Sequence, residues 1–366
     1  MTNKTVLVGL SGGVDSSVCA AMLKEKGYNV IGATMAIWGD RDIKGMAFQE
    51  GRKNACFGPH EKEDIDSARK IAQQLDIPFH VFDCASQYEE IVLKHFKSEY
   101  IQGRTPNPCI WCNALVKFGV LPHMAKLNNV AFDYFATGHY ARIEKENDSY
   151  ILKRGKYSKK DQSYFLYRLT QEQLKTTILP LGDYNKEEIR KIAASYNLDS
   201  ADKPDSQDFY EGDYNELLGV KEKEGNIVNT EGKILGTHKG IWNYTIGQRK
   251  GIGIAASEPM YVLELKKDTN EVVIGPKDKT FKNILFANRL NIISQNRFEQ
   301  FNNVKNKVKA KIRSTQEPTE VSYEIIDNDT VKITFDEYQK SIATGQSVVL
   351  YDEDTVIGGG VIDRVE

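Results

Sequence analysis

A glycine-rich stretch between a strand-like and a helix-like segment constrains the fold of this chain more than any other feature. Residues 6–10 form a short apolar run, residues 11–13 read Ser-Gly-Gly, and the apolar positions that follow have helical spacing through residue 26. Glycines at a strand-to-helix turn let backbone N–H groups approach an anion, and the N-terminal end of a helix favours negative charge. The stretch therefore predicts a βα unit that binds a phosphate group. The alternative is a turn in which Asp15 or Ser16 only caps the helix.

Strand-like and helix-like segments alternate through the N-terminal part of the chain. Strand-like runs occupy residues 28–37, 78–82 and 132–137, and a helical pattern occupies residues 63–75. Such alternation is typical of an α/β fold with a doubly wound parallel sheet. Residues 38–60 have no clear periodicity and are too many for an ordinary loop.

The C-terminal part of the chain has a different pattern, with short β-like runs in place of alternating strands and helices. Regularly spaced glycines follow residue 211 and separate short β-like runs, which predicts a small central domain. Alternating segments at residues 308–313, 320–326 and 330–335 predict a C-terminal antiparallel β-barrel. We predict three domains, which cover residues 1–212, 213–283 and 284–366.

Composition excludes several classes of protein. The 366 residues are 40% hydrophobic and 27% charged, too mixed for a fibrous or disordered polymer. The 49 Lys and Arg nearly balance 51 Asp and Glu, so a nucleic-acid site has to be a local basic patch. No apolar run approaches the roughly 18 residues of a membrane span, and no leader pattern precedes the first strand. We expect a cytoplasmic protein without a membrane partner.

The cysteines point to chemistry in the N-terminal domain. They are few and odd in number for a disulfide scaffold: Cys19, Cys56, Cys84, Cys109 and Cys112. Cys109 and Cys112 form a C-x-x-C pair at the predicted start of a helix, where the helix dipole is expected to acidify a thiol. The pair suits a redox couple, two ligands of a metal centre, or a nucleophile with a neighbour. Cys19 is expected to be a packed core residue. For the C-x-x-C pair, the alternative is a purely structural role.

Several motifs of the chain together resemble those of a known enzyme family. The Ser-Gly-Gly-Val-Asp-Ser stretch resembles the loop of the PP-loop pyrophosphatases, which release pyrophosphate from ATP and leave AMP on a substrate oxygen. Further signatures occur in order at residues 103–113, 136–142, 160–166, 201–208, 244–251 and 345–346. With these, nearly the whole chain resembles the bacterial tRNA-uridine 2-sulfurtransferases, the MnmA or tRNA 2-thiouridylase family. The resemblance implies a PP-loop domain, a small central domain and a C-terminal barrel that thiolate the wobble uridine of tRNAs for Lys, Glu and Gln.

The resemblance also implies site residues and cofactors. ATP, with Mg²⁺, would be bound by the loop and by two residues that frame the adenosine, and Asp15 would organise the metal. These positions are Gly9, Leu10, Ser11, Gly12, Gly13, Val14, Asp15 and Ser16, with Met35 and Gly138 at the adenosine. Cys112 would carry or receive the sulfur, with Cys109 beside it, and His139 is either a phosphate or base contact or a structural residue. A sulfur-donor protein or a sulfide source is the further partner.

The implied tRNA contacts fall in three places. They are Asn107, Pro108, Cys109, Lys160, Asp161, Gln162, Arg313 and Ser314. Independently, two groups of cations favour phosphate binding. One is Lys153, Arg154, Lys156, Lys159 and Lys160, and the other alternates along a predicted strand at Lys305, Lys307, Lys309, Lys311 and Arg313. An ordinary solvated strand face is the alternative for the second group.

One position breaks the family pattern. Relatives usually carry a second essential cysteine two residues after Ser-Gln-Asp, and here Tyr210 stands there. Three explanations are open for how the chain works without this cysteine. Cys112 is persulfidated and resolved by Cys109; Cys109 and Cys112, with Cys56 or Cys84, bind an iron–sulfur cluster such as 4Fe–4S; or the chain adenylates RNA and delivers another nucleophile.

Two rival functions stay open from the sequence. One is another PP-loop ATPase that adenylates a carbonyl outside tRNA, which predicts ATP–pyrophosphate exchange without RNA. The other is a non-catalytic tRNA-binding protein that keeps the nucleotide fold as a scaffold, which predicts tRNA binding without pyrophosphate release.

Overall fold

The structure is a computed structural model that divides into two compact units. It describes residues 3–39, 55–201, 208–210, 212–305 and 308–366, with the backbone alone at Asp208. The first unit comprises Met1–Leu93, Pro108–Tyr214 and Asp354–Val356, and the second comprises Lys94–Asn107, Asn215–Glu353 and Ile357–Glu366. The predicted domain boundaries stay a prediction. In the part of the chain that is described, no helix is both long and apolar enough to cross a bilayer.

The first unit is built on a parallel sheet. Its strands are β1 (Thr5–Gly9), β2 (Asn29–Ala36), β3 (Ala55–Phe57), β4 (Phe79–Asp83), β5 (Tyr134–Ala136), β6 (Ala141–Glu146), β7 (Ser149–Arg154), β8 (Thr177–Ile178) and β9 (Asp208–Tyr210). Five of them form the order β4-β2-β1-β5-β8, with every pairing parallel. β3 and β9 form a separate parallel pair. β6 and β7 form an antiparallel hairpin, and Thr355 and Val356 of the same unit pair with β7.

The α-helices of the two units are numbered together along the chain. They are α1 (Val14–Glu25), α2 (Glu61–Gln74), α3 (Ala85–Tyr88), α4 (Lys94–Ile101), α5 (Pro108–Trp111), α6 (Leu121–Leu127), α7 (Gln171–Lys175), α8 (Lys186–Ser195), α9 (Tyr214–Leu218) and α10 (Gln295–Gln300). Two segments are π-helical, Glu89–Leu93 and Cys112–Val120. Short 3₁₀ turns occupy Ser158–Lys160, Ser163–Leu166, Ile241–Asn243 and Lys277–Thr280.

The central strand β1 shows that the sheet is covered on both faces. Val6, Leu7 and Val8 are each fully buried, although successive side chains point to opposite faces. A strand buried in this way is an uninterrupted apolar run, as parallel strands usually are. Burial of each such side chain contributes about 1.5–3 kcal/mol. The predicted doubly wound parallel sheet is therefore confirmed.

The second unit contains two antiparallel-rich sheets. Its strands are β10 (Gly225–Val228), β11 (Ile234–His238), β12 (Tyr261–Lys266), β13 (Glu271–Gly275), β14 (Phe281–Ile292), β15 (Val308–Lys311), β16 (Thr319–Ile325), β17 (Val331–Lys340), β18 (Ser347–Asp352) and β19 (Thr355–Val365), the first two residues of which belong to the first unit. The order β11-β10-β13-β12 forms the small central sheet around its own apolar core. The order β14-β17-β16-β15-β18-β19 closes through pairing of β14 with β19, which confirms the predicted C-terminal barrel.

Candidate active site

The glycine-rich loop joins β1 to α1 and is ordered by its own serines. The backbone N–H of Ser11 donates to Oγ of Ser16 at 3.1 Å, and Oγ of Ser17 donates to the carbonyl of Gly13 at 2.8 Å. Gly13 is the N-cap residue of α1 and has no side chain to cap it, so the alternative of a simple Asp15 or Ser16 cap is not observed. The first-turn N–H groups of a helix have no acceptors within the helix, which makes this end an anion site.

Two glycines allow the loop to pack tightly. Gly12 has φ +74, and a Cβ there would lie 2.8 Å from Cβ of Ser67, at α2. A Cβ on Gly138 would lie 2.6 Å from the backbone carbon of Asp15 and 2.8 Å from the backbone nitrogen of Ser16. Only glycine fits at position 138, because backbone atoms cannot rotate away as a flexible side chain can. The structure thus places Gly138 against the loop, while Met35 lies half-buried near the end of β2.

Asp15 is held by two residues from distant parts of the chain. Its Oδ1 accepts hydrogen bonds from the Tyr140 hydroxyl at 2.6 Å and from Nζ of Lys186 at 2.7 Å. Lys186 is the first residue of α8, which begins with a capping box formed by Asn185 and Glu188. The sequence reasoning did not single out Lys186. No local pattern could reveal it, since 171 positions separate it from Asp15.

His139 links the glycine loop to the cysteine-bearing helix. It directly follows Gly138, its Nδ1 lies 2.7 Å from Oγ1 of Thr137, and its ring centroid lies 5.7 Å from that of Phe118. Burial, with a smaller contribution from Lys117, holds the pKa of His139 well below its usual value. His139 is therefore neutral at physiological pH.

The cysteine-bearing helix starts at Pro108 and changes to π-helical geometry at Cys112. The side chain of Gln173 enters this segment and donates to the carbonyl of Ala114 at 2.8 Å and to that of Phe118 at 3.1 Å. A side chain that inserts into the helical hydrogen-bond ladder favours such a local rearrangement. π-Helical segments are rare and frequent at functional sites, and sequence periodicity does not reveal them.

The expected acidification of the thiol is wrong for Cys112. Burial raises the pKa of Cys112 to about 11, and the neighbouring Lys117 only partly opposes this effect. Desolvation disfavours the thiolate more than the short first turn of α5 favours it. Cys84, fully buried at the end of β4, has its pKa raised to about 12, mainly by burial. Cys19 is buried in α1, as expected of a core residue.

Electrostatic effects connect three of the four proposed cluster ligands. The charge of Cys112 adds to the raised pKa of Cys84, and the charge of Cys56 adds to that of Cys112. Nevertheless, among the described residues no three His, Cys, Asp or Glu side chains are grouped so that they could hold a metal ion. We therefore derive no step through an iron–sulfur cluster.

Contacts within the second unit fix the loop that precedes Pro108. Gly345 has φ +88, and a Cβ on it would lie 2.8 Å from the backbone nitrogen of Thr105. Gln346 donates from Nε2 to the carbonyl of Thr105 at 2.8 Å. The family signature at residues 345–346 thus holds the segment that leads into Asn107, Pro108 and Cys109, all half-buried.

The Lys160, Asp161 and Gln162 motif is largely structural in its contacts. The Asp161 carboxylate is fully buried and accepts from Arg154 at 3.1 Å and from the backbone N–H groups of Gly155 and Ser163 at 3.0 Å. Oε1 of Gln162 accepts from the N–H of Tyr140 at 2.9 Å. A direct contact of the Asp161 carboxylate with tRNA is incompatible with this burial.

The predicted alternation of five cations along one strand is wrong. β15 ends at Lys311, and Lys311 is 2% exposed, because it lies on a strand of the closed barrel rather than on a free face. Lys305, Lys309 and Arg313 are exposed, with Ser314 half-buried after them, and Lys307 lies outside the described residues. The Arg313 guanidinium donates to the carbonyls of Lys340 and Ser341.

Comparison with known sequences assigns the family. Three family models match consecutive parts of the chain: "tRNA methyl transferase HUP domain" at residues 4–210, "tRNA methyl transferase PRC-barrel domain" at 217–276 and "Aminomethyltransferase beta-barrel domain" at 283–362. Similar proteins named "tRNA-specific 2-thiouridylase MnmA" occur in Endomicrobium trichonymphae, 46% identical over 368 residues, and in Clostridioides difficile strain 630, 43% identical over 371 residues. Each comparison covers 99% of both chains. The resemblance read from the motifs is confirmed, and the chain belongs to the tRNA-specific 2-thiouridylase family.

Proposed function

We propose that this chain catalyses the ATP-dependent 2-thiolation of the wobble uridine of tRNAs for Lys, Glu and Gln in the cytoplasm. The sulfur is carried by Cys112 and comes from a sulfur-donor protein or a sulfide source. The proposal combines family membership with the arrangement of the first unit.

The main structural support is the short path between the glycine loop and Cys112. Gly138 packs on Asp15 and Ser16, and His139, the next residue, lies against Phe118 of the π-helix that begins at Cys112. Phe135 packs edge-on against Phe118, with ring centroids 5.4 Å apart, and a Cβ on Gly9 would lie 3.4 Å from the Phe135 ring. These contacts connect the loop to the π-helical segment that begins at Cys112, so the proposed phosphate and sulfur sites belong to adjoining elements.

The reaction needs both the ATP phosphates at the glycine-rich loop and the sulfur at Cys112. The 2-carbonyl oxygen of a pyrimidine is a poor leaving group, so it must be activated before sulfur can replace it. Attack of this oxygen on the α-phosphate of ATP expels pyrophosphate and makes AMP the leaving group. The first-turn N–H groups of α1 would stabilise charge on the departing pyrophosphate.

The pairing of Asp15 with Lys186 assigns a role to each of these two residues at the loop. Because Oδ1 of Asp15 already accepts from Tyr140 and Lys186, Asp15 orients the Lys186 ammonium at the loop. The Lys186 ammonium, paired with Asp15, would add positive charge beside the nucleotide phosphates. Mg²⁺, which would supply further charge compensation, would be held largely by phosphate oxygens and by the remaining carboxylate oxygen of Asp15.

The sulfur step requires a nucleophilic anion at Cys112. Lys117 lies in the same π-helical segment and favours the anionic form, while burial opposes it. A persulfide is more acidic than its parent thiol, so loading Cys112 with sulfur produces the anion that the thiol alone resists forming. Attack of this anion on the adenylated carbon then releases AMP and leaves the base joined to Cys112 through an S–S bond. A second thiol, from Cys109 or from an added thiol reductant, attacks Sγ of Cys112, so that 2-thiouridine leaves and a disulfide forms.

A reconstituted reaction tests the proposal. Purified chain, ATP, Mg²⁺, unmodified tRNA for Glu and sodium polysulfide should yield 2-thiouridine, measured by nucleoside mass spectrometry, and tRNA-dependent pyrophosphate release. The Cys112→Ala variant should release pyrophosphate but form no 2-thiouridine, whereas Cys19→Ala, which removes a buried core thiol of α1, should thiolate normally. Pyrophosphate release that is independent of tRNA, or thiolation by Cys112→Ala, contradicts the proposal.

A further inference from the structure

Residues 155–163 form a closed loop with exposed lysines, which we call the lysine loop. The buried carboxylate of Asp161 accepts from the N–H groups of Gly155 and Ser163, both at 3.0 Å. One side chain therefore ties the two ends of the loop together, and we expect the loop to respond to a ligand as one piece. Its exposed cations are Lys156 and Lys159.

Both ends of the lysine loop pack on the backbone of Tyr140. The N–H of Gln162 donates to the Tyr140 carbonyl at 2.9 Å, and the N–H of Tyr140 donates to Oε1 of Gln162 at 2.9 Å. At the other end, a Cβ on Gly155 would lie 2.8 Å from the same carbonyl oxygen. The Tyr140 hydroxyl donates to Oδ1 of Asp15 at 2.6 Å. One residue thus connects the lysine loop to the glycine-rich loop.

A second contact leads from the lysine loop towards Lys186. The N–H of Lys156 donates to the carbonyl of Gly182 at 2.8 Å. Gly182 is buried and lies four residues before Lys186, at the start of α8, where a capping box fixes the first turn. Nζ of Lys186 donates to Oδ1 of Asp15 at 2.7 Å. Tyr140 and Lys186, the two donors to this oxygen, therefore both belong to segments that contact the lysine loop.

We propose that the lysine loop is a tRNA sensor for the ATP site, an inference that rests on the proposed thiolation function. RNA phosphates bound by its lysines hold the loop in place. The loop in turn holds Tyr140 and the segment before α8, so the Asp15–Lys186 pair is fixed at the glycine-rich loop while tRNA is bound. Tyr140 is the positioning residue in this path. ATP cleavage then depends on bound tRNA, so ATP is not consumed before the RNA oxygen is in place.

Coupling of this kind has a measurable form. If tRNA raises the affinity for ATP by a certain factor, ATP raises the affinity for tRNA by the same factor, and such coupling factors are typically about 5 to 150. A direct contact between tRNA and ATP would also couple their binding. That coupling would survive loss of the Tyr140 hydroxyl, whereas coupling through the lysine loop would not.

Isothermal titration calorimetry measures the coupling factor. The Kd of α,β-methylene-ATP, which is not cleaved at the α-phosphate, is measured on the full chain with Mg²⁺, with and without saturating unmodified tRNA for Glu. In the wild-type chain we expect tRNA to lower this Kd at least about fivefold. In Tyr140→Phe, which keeps the ring and loses only the hydroxyl, we expect a factor below about two. Because the factor is a ratio within each variant, it does not depend on the variant's own affinity for ATP.

Tyr196→Phe is the matched control. The Tyr196 hydroxyl donates to the carboxylate of Glu25, the last residue of α1, so this variant removes the same kind of bond at the opposite end of that helix. Its coupling factor should equal that of the wild-type chain. Gln162→Ala removes the acceptor for the Tyr140 N–H and should lower the factor as Tyr140→Phe does. An unchanged thermal midpoint shows that each variant is folded.

The possible results separate the inference from the function on which it rests. A wild-type coupling factor in Tyr140→Phe, or an equal loss in Tyr196→Phe, overturns the inference. A factor near one in a wild-type chain that thiolates tRNA does so as well. If the wild-type chain forms no 2-thiouridine and releases no tRNA-dependent pyrophosphate, the proposed function itself fails.

Discussion

At the scale of the residue, the environment of Cys112 decides its chemistry more than its position near a helix start. Burial raises its pKa to about 11, and Lys117 is the neighbour that acts in the opposite direction. A one-unit change in pKa corresponds to about 1.4 kcal/mol of differential interaction between the two protonation states. The loss of one nearby cation should therefore be measurable in the reactivity of the thiol.

We predict the pH dependence of Cys112 alkylation by iodoacetamide, followed by peptide mass spectrometry. Because its pKa lies above the tested range, the rate should rise about tenfold per pH unit between about pH 7 and 9 without a plateau. Lys117→Gln removes a positive charge, so the pKa should rise further and the rate at fixed pH should fall about threefold to tenfold. Lys126→Gln, in α6, serves as the control and should leave the rate unchanged. A plateau below pH 8 in the wild-type chain would contradict the raised pKa.

At the scale of the element, the π-helical segment Cys112–Val120 depends on a side chain from α7. Gln173 donates to two carbonyls of the segment and also accepts from the N–H of Thr170, its N-cap partner. One residue thus caps α7 and satisfies two carbonyls of the segment. Leaving a buried acceptor without its donor costs about 1–3 kcal/mol, whereas loss of a helix cap alone costs about 1 kcal/mol.

We predict that Gln173→Ala lowers the free energy of unfolding more than Thr170→Ala does. Thr170→Ala removes only the cap, so it should cost about 1 kcal/mol, and Gln173→Ala should cost about 2–4 kcal/mol because the carbonyls of Ala114 and Phe118 lose their donor. Urea unfolding followed by circular dichroism measures both. Equal losses for the two variants would show that the contact with the π-helical segment contributes nothing.

At the scale of the whole molecule, the near balance of charges makes tRNA binding depend on local cations. Ion pairs neutralise part of the cluster around β7: Lys153 lies 3.3 Å from Glu144 and 3.4 Å from Asp354, and Arg154 lies 3.1 Å from Asp161. Lys156 and Lys159 are exposed, and Lys160 is half-buried. The exposed Lys156 and Lys159 are the part of the cluster suited to phosphate contacts.

We predict that Lys159→Ala weakens tRNA binding about threefold to tenfold and lowers the salt dependence of the affinity by roughly one phosphate contact. Lys153→Ala is the matched control from the same cluster, and its cation is already paired with acidic side chains, so its salt dependence should stay close to that of the wild-type chain. Filter binding between about 50 and 200 mM salt measures both slopes. An equal loss of slope in the two variants would contradict a specific role for Lys159.

Local patterns in the sequence were sufficient to predict most elements. The helix expected at residues 14–26 is α1, Val14–Glu25, and the strand expected at residues 320–326 is β16, Thr319–Ile325. Helical and strand periodicities follow from backbone geometry over a few residues, so a short window contains them. The glycine-rich loop could also be predicted from the sequence, because its strand, turn and helix are contiguous in the chain.

Tertiary structure alone decided what each chemical group can do. The pairing of Asp15 with Lys186 and the contact of Gln173 with the π-helical segment join parts of the chain far apart in sequence. Burial reversed the expected acidity of Cys112 and removed Lys311 from the solvated face. Protonation and charge depend on desolvation and on neighbours in space, and neither quantity is a property of a local stretch of sequence.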